Sequence, residues 1–182
     1  MSIEGMFDDL EARFAHLQAQ ERRAQAEDLV RAEWARVSVK DRLRGALDHP
    51  VRLHVEGIDP IAGRVQRVGA DHVELGDLAG ARLAVVPWHG VLAIEGLPRR
   101  SAAASSRLDE QTLTSWLRET ARDHLVLRVE SVVGSIAGAR VVGVGADAVD
   151  LTFLGTGESP GADRRGGALT LRLTAVRAVL VE

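Results

Sequence analysis

The stretch Ile61-Ala-Gly-Arg-Val-Gln-Arg-Val-Gly-Ala-Asp-His-Val-Glu-Leu75 decides the fold, because it occurs a second time in the chain. The second copy reads Ile136-Ala-Gly-Ala-Arg-Val-Val-Gly-Val-Gly-Ala-Asp-Ala-Val-Asp-Leu151. The spacing is 75 residues between Ile61 and Ile136 but 76 between Val68 and Val144, which predicts one inserted residue in the region of 139–140. Self-similarity at a fixed offset indicates one structural unit that is used twice.

Short strands surround both copies. Alternating apolar and polar residues predict five strands between 51 and 96, separated by turns that are rich in glycine, aspartate and proline. The same five segments follow between 125 and 182, with a longer loop between the third and the fourth. The segment Gly69-Ala-Asp71 has the residue types of a tight hairpin turn. Many short strands with evenly spaced turns predict a small barrel or sandwich in each half.

The chain begins with a predicted long helix over 1–37. From Ile3 to Val37 there is no proline and a single glycine, and apolar residues follow the 4-3-4-3 spacing of a heptad seam. One interpretation is that this helix packs on its own barrels. We favour self-association, because a helix of this length exceeds what two small barrels can cover. The residues expected to associate are Phe7, Leu10, Phe14 and Leu17.

A short helix is predicted ahead of each set of strands. Ser38-Val-Lys-Asp41 has the form of a capping box, and 109–121 carries Leu113, Trp116 and Leu117 on one side. The intervening segment is rich in small residues and predicts a linker. The predicted domains are therefore a coiled helix over 1–37, a helix and barrel over 38–96, a linker over 97–108, and a second helix and barrel over 109–182. The fold class is α+β and mainly β.

The repeat resembles the Sm-like (LSm) barrel. Val51-Arg-Leu-His-Val-Glu-Gly57, Gly63 and Asp71-His-Val-Glu-Leu75, with their counterparts in the second copy, are similar to the first Sm motif. The chain also resembles a group of proteins from high-GC bacteria that place a coiled helix ahead of two such units. This resemblance implies two tandem five-stranded Sm-like or SH3-like barrels.

Sm-like proteins usually form rings and bind RNA through asparagine and arginine in their loops. This sequence departs from that pattern, because it contains no asparagine and lacks the Arg-Gly of the second Sm motif. Trp88-His-Gly90 and Leu173-Thr-Ala175 stand there instead. The resemblance therefore carries over the fold but not the RNA pocket.

Composition narrows the function class. The net charge of −3 gives no general attraction to nucleic acid or to an anionic membrane, and the lack of cysteine excludes disulfides and thiolate metal sites. The acidic start has no apolar core of a secretory signal, and no run approaches the ~20 apolar residues that span a bilayer. We expect a cytoplasmic protein that does not associate with a membrane.

No cluster of residues in the sequence points to catalysis, a metal or a cofactor. The only repeat-equivalent histidines, His49 and His124, each follow an aspartate at a predicted helix end, where a cation offsets the helix dipole. Asp71 and Asp147 are also equivalent, but each lies in the hairpin turn of its own half. We therefore predict that the chain is not an enzyme and holds no cofactor.

The function expected from the sequence is binding or scaffolding. We expect a homo-oligomer, formed through the N-terminal helix, that presents its barrels to a protein partner. The alternative is an RNA- or DNA-binding regulatory protein, because arginine pairs in flexible segments can hold phosphates. The residues of that alternative are Arg99, Arg100, Arg164 and Arg165; the other interpretation of these pairs is solvated charge.

Overall fold

A computed structural model describes residues 3–77, 82–104, 110–153 and 168–182. Within that part, the side chains of 3–15 and of residue 19 are not described. The chain divides into two compact units, Met1–Ser38 and Val39–Glu182.

The first unit is built on a single helix, α1, which extends from Ile3 to Trp34. The prediction of one long helix is confirmed, although the helix ends before Val37. The amide of Val37 donates to the carbonyl of Trp34, a bond over three residues that tightens the chain into a turn. Among the described residues, no helix combines the length and the apolar content that crossing a membrane requires.

The second unit is mainly β and contains ten antiparallel strands. Two α-helices lie in its described residues, α2 (Val39–Arg44) and α3 (Leu113–Arg122), together with short 3-10 helices at Trp88–Gly90 and Leu173–Ala175. The strands are β1 (Pro50–Val55), β2 (Ile61–Val68), β3 (His72–Gly76), β4 (Leu83–Pro87), β5 (Val91–Glu95), β6 (Leu127–Ser131), β7 (Gly134–Val144), β8 (Ala148–Phe153), β9 (Leu169–Arg172) and β10 (Val176–Val181).

The sheet has the order β5-β1-β2-β3-β4-β10-β6-β7-β8-β9. We call α2 with β1–β5 repeat 1, and α3 with β6–β10 repeat 2. In each repeat the last strand lies beside the first, so both repeats have the same strand order. They meet where β4 pairs with β10, with Val85 opposite Val179 and Ala84 opposite Leu180. This pairing makes one continuous sheet.

The prediction of two tandem barrels is not confirmed, because the sheet is open. The ten predicted strands are present, but β4 does not return to β5 of its own repeat. It pairs instead with β10 of the other repeat. The sequence shows which segments are strands, whereas the partner of each edge depends on contacts between the repeats.

Equivalent hydrogen bonds show that the two repeats agree in detail. The amide of Trp88 donates to the carbonyl of Asp71 at 2.9 Å, and the amide of Leu173 donates to the carbonyl of Asp147 at 2.8 Å. The irregularities in strand pairing also recur, between 65 and 67 in β2 and between 141 and 143 in β7. The duplication inferred from the sequence therefore extends to backbone geometry.

The inserted residue of repeat 2 lies earlier than predicted. Val129 pairs with Ile136 and Leu127 with Ala139, so the extra residue falls at 137–138 rather than at 139–140. Gly138 has a φ of 64°, which glycine adopts without strain. The two Ile-Ala-Gly segments match as letters, but Gly63 corresponds in the sheet to Ala139 and not to Gly138.

An apolar core lies beneath each short helix, and each core also takes a buried residue from the other repeat, Val85 in the core under α3 and Ala178 in the core under α2. Leu43 of α2 and Ala46, just after the helix, are buried against β1, β2 and β3, while Leu113, Trp116 and Leu117 of α3 are buried in the core of repeat 2. Helix α3 begins at Leu113 rather than at 109, because the hydroxyl of Thr112 accepts the amide of Ser115 at 3.2 Å and caps it.

The predicted linker is described as far as residue 104, and this part lies along α2. Arg42 donates to the carbonyls of Leu97 and Pro98 at 3.0 and 3.1 Å, and the amide of Ala102 donates to the carbonyl of Asp41 at 2.8 Å. The segment that leaves repeat 1 is therefore attached to the helix that precedes it.

Replacing Gly63 by alanine should destabilise the fold. A Cβ at this position would lie 2.4 Å from the carbonyl oxygen of Gly76 and 3.0 Å from Cβ of Leu75. Because the first contact is with backbone, β2 and β3 must separate locally, at a cost of about 1–3 kcal/mol of unfolding free energy. Urea unfolding of Gly63→Ala measures this loss. Ala62→Val is the control on the solvent side of the same strand; equal losses in both variants would contradict the prediction.

Candidate functional site

The most distinctive surfaces of the second unit are the two outer strands of the sheet. Strand β5 pairs only with β1, and β9 pairs only with β8, within the part of the chain that the structure describes. Each outer strand therefore leaves one row of backbone N–H and C=O groups without a strand partner. Such an edge is a template for a further strand.

Strand β5 has an apolar outer surface. Leu92 is 70% exposed, Ala93 is exposed, and Ile94 is half-buried. Glu95 is its only charged residue, and its carboxylate is 2.7 Å from Nε2 of His54 on β1. Natural edge strands are commonly protected by lysine or proline, and β5 has neither.

Strand β10 is the equivalent of β5 in repeat 2, but its outer side is covered. It occupies in repeat 2 the position that β5 occupies in repeat 1, but β4 pairs with its outer side. All four residues from Val176 to Val179 are buried. The exposure of β5 is therefore the result of a missing neighbour and not of a polar sequence.

An ion pair lies at the junction between the repeats. Arg177 on β10 is almost completely buried, and its guanidinium donates to Oε2 of Glu56 in repeat 1 at 2.7 Å. It also donates to the carbonyl of Thr174 at 2.9 Å. The carboxylate of Glu56 remains more than half exposed, so this pair contributes more to orientation than to stability.

A polar cluster joins the β2–β3 hairpin of repeat 1 to α3. Oδ1 of Asp71 accepts the amide of Leu113 at 2.7 Å, at the first turn of α3. Nδ1 of the buried His72 lies 3.1 Å from the same oxygen, and its Nε2 lies 3.5 Å from Oε1 of Glu74. Arg67 donates to both Glu74 and Gln111.

The geometry of this cluster is that of a structural contact. His72 has no exposed surface, and its Nε2 has no hydrogen-bond partner. In the described part of the chain, no group of three or more histidine, aspartate or glutamate side chains is arranged to hold a metal ion. The cluster positions the start of α3 against the hairpin and thereby fixes one repeat on the other.

One groove lies beside the β1–β2 turn. It has a volume of about 790 Å³ and is open to solvent. The residues of the turn line it together with Glu130 and Leu180 of repeat 2. The groove is too open to enclose a small molecule, because ligand pockets usually bury most of the ligand surface.

The structure places the predicted nucleic-acid residues only in part. Arg99 and Arg100 are exposed in the segment that follows repeat 1. A Cβ added to Gly45 would meet the carbonyl oxygen of Arg100. The segment that carries Arg99 and Arg100 is therefore close to α2. Arg164 and Arg165 lie outside the described residues. The structure therefore locates only the first of the two arginine pairs.

The predicted association residues lie on α1. The side chain of Leu17 is 55% exposed. The side chains of Phe7, Leu10 and Phe14 are outside the described part. Further along the helix Leu29, Val30 and Trp34 are also exposed.

Sequence reasoning did not identify Leu92, Glu56 or Arg177. Each is ordinary when it is considered alone, and its importance comes from the pairing of β4 with β10. A signal was nevertheless present, because alignment of the repeats places Leu92 opposite Arg177 at the 85-residue offset that relates Val91 to Val176.

No protein-family profile matches this sequence, and a search of curated proteins finds no match.

Asp71→Ala should weaken the contact between repeat 1 and α3. The substitution removes the acceptor of the Leu113 amide, and loss of such a cap costs about 1 kcal/mol. Urea unfolding should show that loss, together with faster hydrogen exchange at the start of α3. Asp147→Ala is the matched control, because Asp147 is the equivalent residue of repeat 2 and is exposed. A similar loss in both variants would refute the role given to Asp71.

Proposed function

We propose that this chain is a non-catalytic scaffold protein that self-associates and presents the edges of its sheet to a protein partner. The observation that carries the proposal is that the outer edges of β5 and β9, at the two ends of one sheet, have no strand partner among the described residues. Backbone groups on such edges give affinity to an added strand, and side chains beside them give specificity. The exposed Leu92 makes the β5 edge the more apolar part of this surface.

The proposal includes the assignment of each repeat as an Sm-like module of the barrel type. Support comes from the strand order, in which β5 lies beside β1 and β10 lies beside β6. The sharp approach of β2 to β3 at Gly63 also supports it, because a glycine there allows the strand to bend over its own repeat.

Helix α1 is the proposed element of self-association. Its heptad seam occupies the first half of a 32-residue helix, and this length gives an association surface independent of the sheet. The exposure of Leu17 supports the assignment. The assembled protein would stay in the cytoplasm and present several copies of the sheet edges at once, which raises the apparent affinity for a multivalent partner.

The triple variant Leu10→Glu, Phe14→Glu and Leu17→Glu should lower the oligomeric state of the full-length chain. Three carboxylates at the seam repel one another, while glutamate preserves helix propensity. Multi-angle light scattering at equal concentrations measures the change in mass. The variant Ala12→Glu, Ala15→Glu and Ala19→Glu adds the same charge away from the seam and should leave the mass unaltered. Equal masses for both variants and the native chain would exclude association through this seam.

The second candidate function is binding of RNA or DNA through Arg99, Arg100, Arg164 and Arg165. The exposure of the first two residues favours it. In this case the native chain should shift bulk RNA or DNA in a gel at low salt, and the shift should weaken steeply as salt is added. Alanine at all four positions should reduce the affinity at least about tenfold, since each phosphate contact contributes electrostatically. Absence of a shift at low salt would end this candidate.

A further inference from the structure

We infer that the partner of each sheet edge is a second copy of this chain, with β5 of one copy paired to β9 of the next and Leu92 seated against Val132. This inference rests on the proposed scaffold function and specifies what the edges bind. It predicts a head-to-tail assembly in which every copy offers two different surfaces. Such an interface is heterologous and can continue from copy to copy.

The internal junction supplies the template for this contact. Strand β4 of repeat 1 pairs with β10 of repeat 2, with Val85 opposite Val179. Strand β9 is the equivalent of β4, and β5 is the equivalent of β10. Applying the same register to the free edges places Thr170 of one copy opposite Ile94 of the next. The molecule therefore already contains one example of the junction and the two surfaces needed to repeat it.

In each repeat a β-bulge in the last strand sets the direction of one side chain, Arg177 in β10 and Leu92 in β5. In repeat 2, Val176 and Ala178 pair with successive residues of β6, so Arg177 is the extra residue of a bulge. In repeat 1, Val91 and Ala93 pair with successive residues of β1, which leaves Leu92 as the extra residue. The two side chains therefore leave equivalent strands at the same point.

The surfaces that receive these side chains are also equivalent. The amide of Glu56 donates to the carbonyl of Gly90 at 2.9 Å, and the amide of Val132 donates to the carbonyl of Ala175 at 3.0 Å. Val132 therefore occupies in repeat 2 the place that Glu56 occupies in repeat 1. Glu56 receives Arg177, and we assign Val132 as the contact of Leu92.

The residue types agree with this assignment. The internal junction pairs a carboxylate with a guanidinium, whereas the free surfaces carry two large apolar side chains, Leu92 at 70% and Val132 at 59% exposure. The side chain of Arg177 passes close to Gly90, where an added Cβ would lie 3.2 Å from its Cδ. Because residue 90 is glycine, the slot beside it has room for the arginine side chain. Ala175 narrows the equivalent slot, which suits the shorter leucine.

This difference also sets the order of assembly. Placing Leu92 against Glu56, or Arg177 against Val132, would leave a charge beside an apolar group without its partner. Repeat 1 and repeat 2 therefore alternate along the assembly. The junction between copies is the weaker one, because Thr170 stands where the buried Val85 stands inside the chain. We expect an assembly that dissociates on dilution.

The test transfers the internal ion pair to the junction between copies. In the full-length chain, Leu92→Arg alone and the double variant Val132→Glu with Ala175→Gly alone should each raise the dissociation constant of edge assembly at least about tenfold. Mixing the two proteins should restore it to within about threefold of native. The mixture then alternates the transferred ion pair with the native Leu92–Val132 contact. Sedimentation velocity over a dilution series gives these constants.

Val142→Arg is the matched control, because Val142 on β7 is 60% exposed, close to the 59% of Val132, and lies away from both edges. It should assemble as the native chain does. Normal assembly of both single-protein variants, or no recovery on mixing, would overturn the inference.

A second experiment tests the register between β5 of one copy and β9 of the next. The native chain has no cysteine, so the pair Ile94→Cys and Thr170→Cys introduces the only two thiols. Mild oxidation should link copies into a covalent ladder, because directly opposed residues lie within disulfide reach. The pair Ile94→Cys and Arg172→Cys is two residues out of register and should not link. Equal linking by both pairs, or by neither, would contradict the proposed register.

The experiments separate this inference from the proposed function. Glutamate substitutions on the α1 seam should lower the mass and leave the covalent ladder intact. If the ladder is absent while the seam variant still lowers the mass, the scaffold proposal stands and the edges bind something else. If the ladder forms and the seam variant has no effect, the assembly is carried by the sheet alone.

Discussion

The pairing of β4 with β10 is the constraint on which the second unit depends. These two strands belong to different repeats, yet they complete one sheet and bury Val85 and Val179 together in the core beneath α3. Burial of a valine contributes about 1.5–3 kcal/mol relative to exposure. The pairing also brings Glu56 of repeat 1 to Arg177 of repeat 2. In the same unit, the carboxylate of Asp71 accepts the amide of Leu113 at the start of α3. Without the pairing, β4 and β10 would each have an uncovered edge.

The sequence was sufficient to predict the elements of this fold. Alternation identified the strands, and the repeated Val-Gly-Ala-Asp segment related the two halves. These features are local, because period-two patterning and turn residues act over a few positions. The N-terminal helix was predictable for the same reason, since Ile3 to Trp34 contains no proline.

The connections between the repeats were not predictable from the same patterns. The sequence around Val85 predicts a strand whether β4 closes a barrel or pairs with β10. The choice depends on long-range contacts such as that between Glu56 and Arg177, which are 121 positions apart. The insertion was misplaced for a related reason. Matching letters aligned Gly63 with Gly138, whereas hydrogen-bond register aligns Gly63 with Ala139.

The central position of β10 has a consequence for how the protein is made. This strand is synthesised after the other nine, yet it lies between the two repeats in the finished sheet. On a ribosome that adds about 5–20 residues per second, β4 emerges several seconds before the strand that covers it. The nascent chain therefore passes through a stage in which the apolar edge of β4 is not yet paired with β10. At this stage, nearby nascent chains or chaperones compete for that edge.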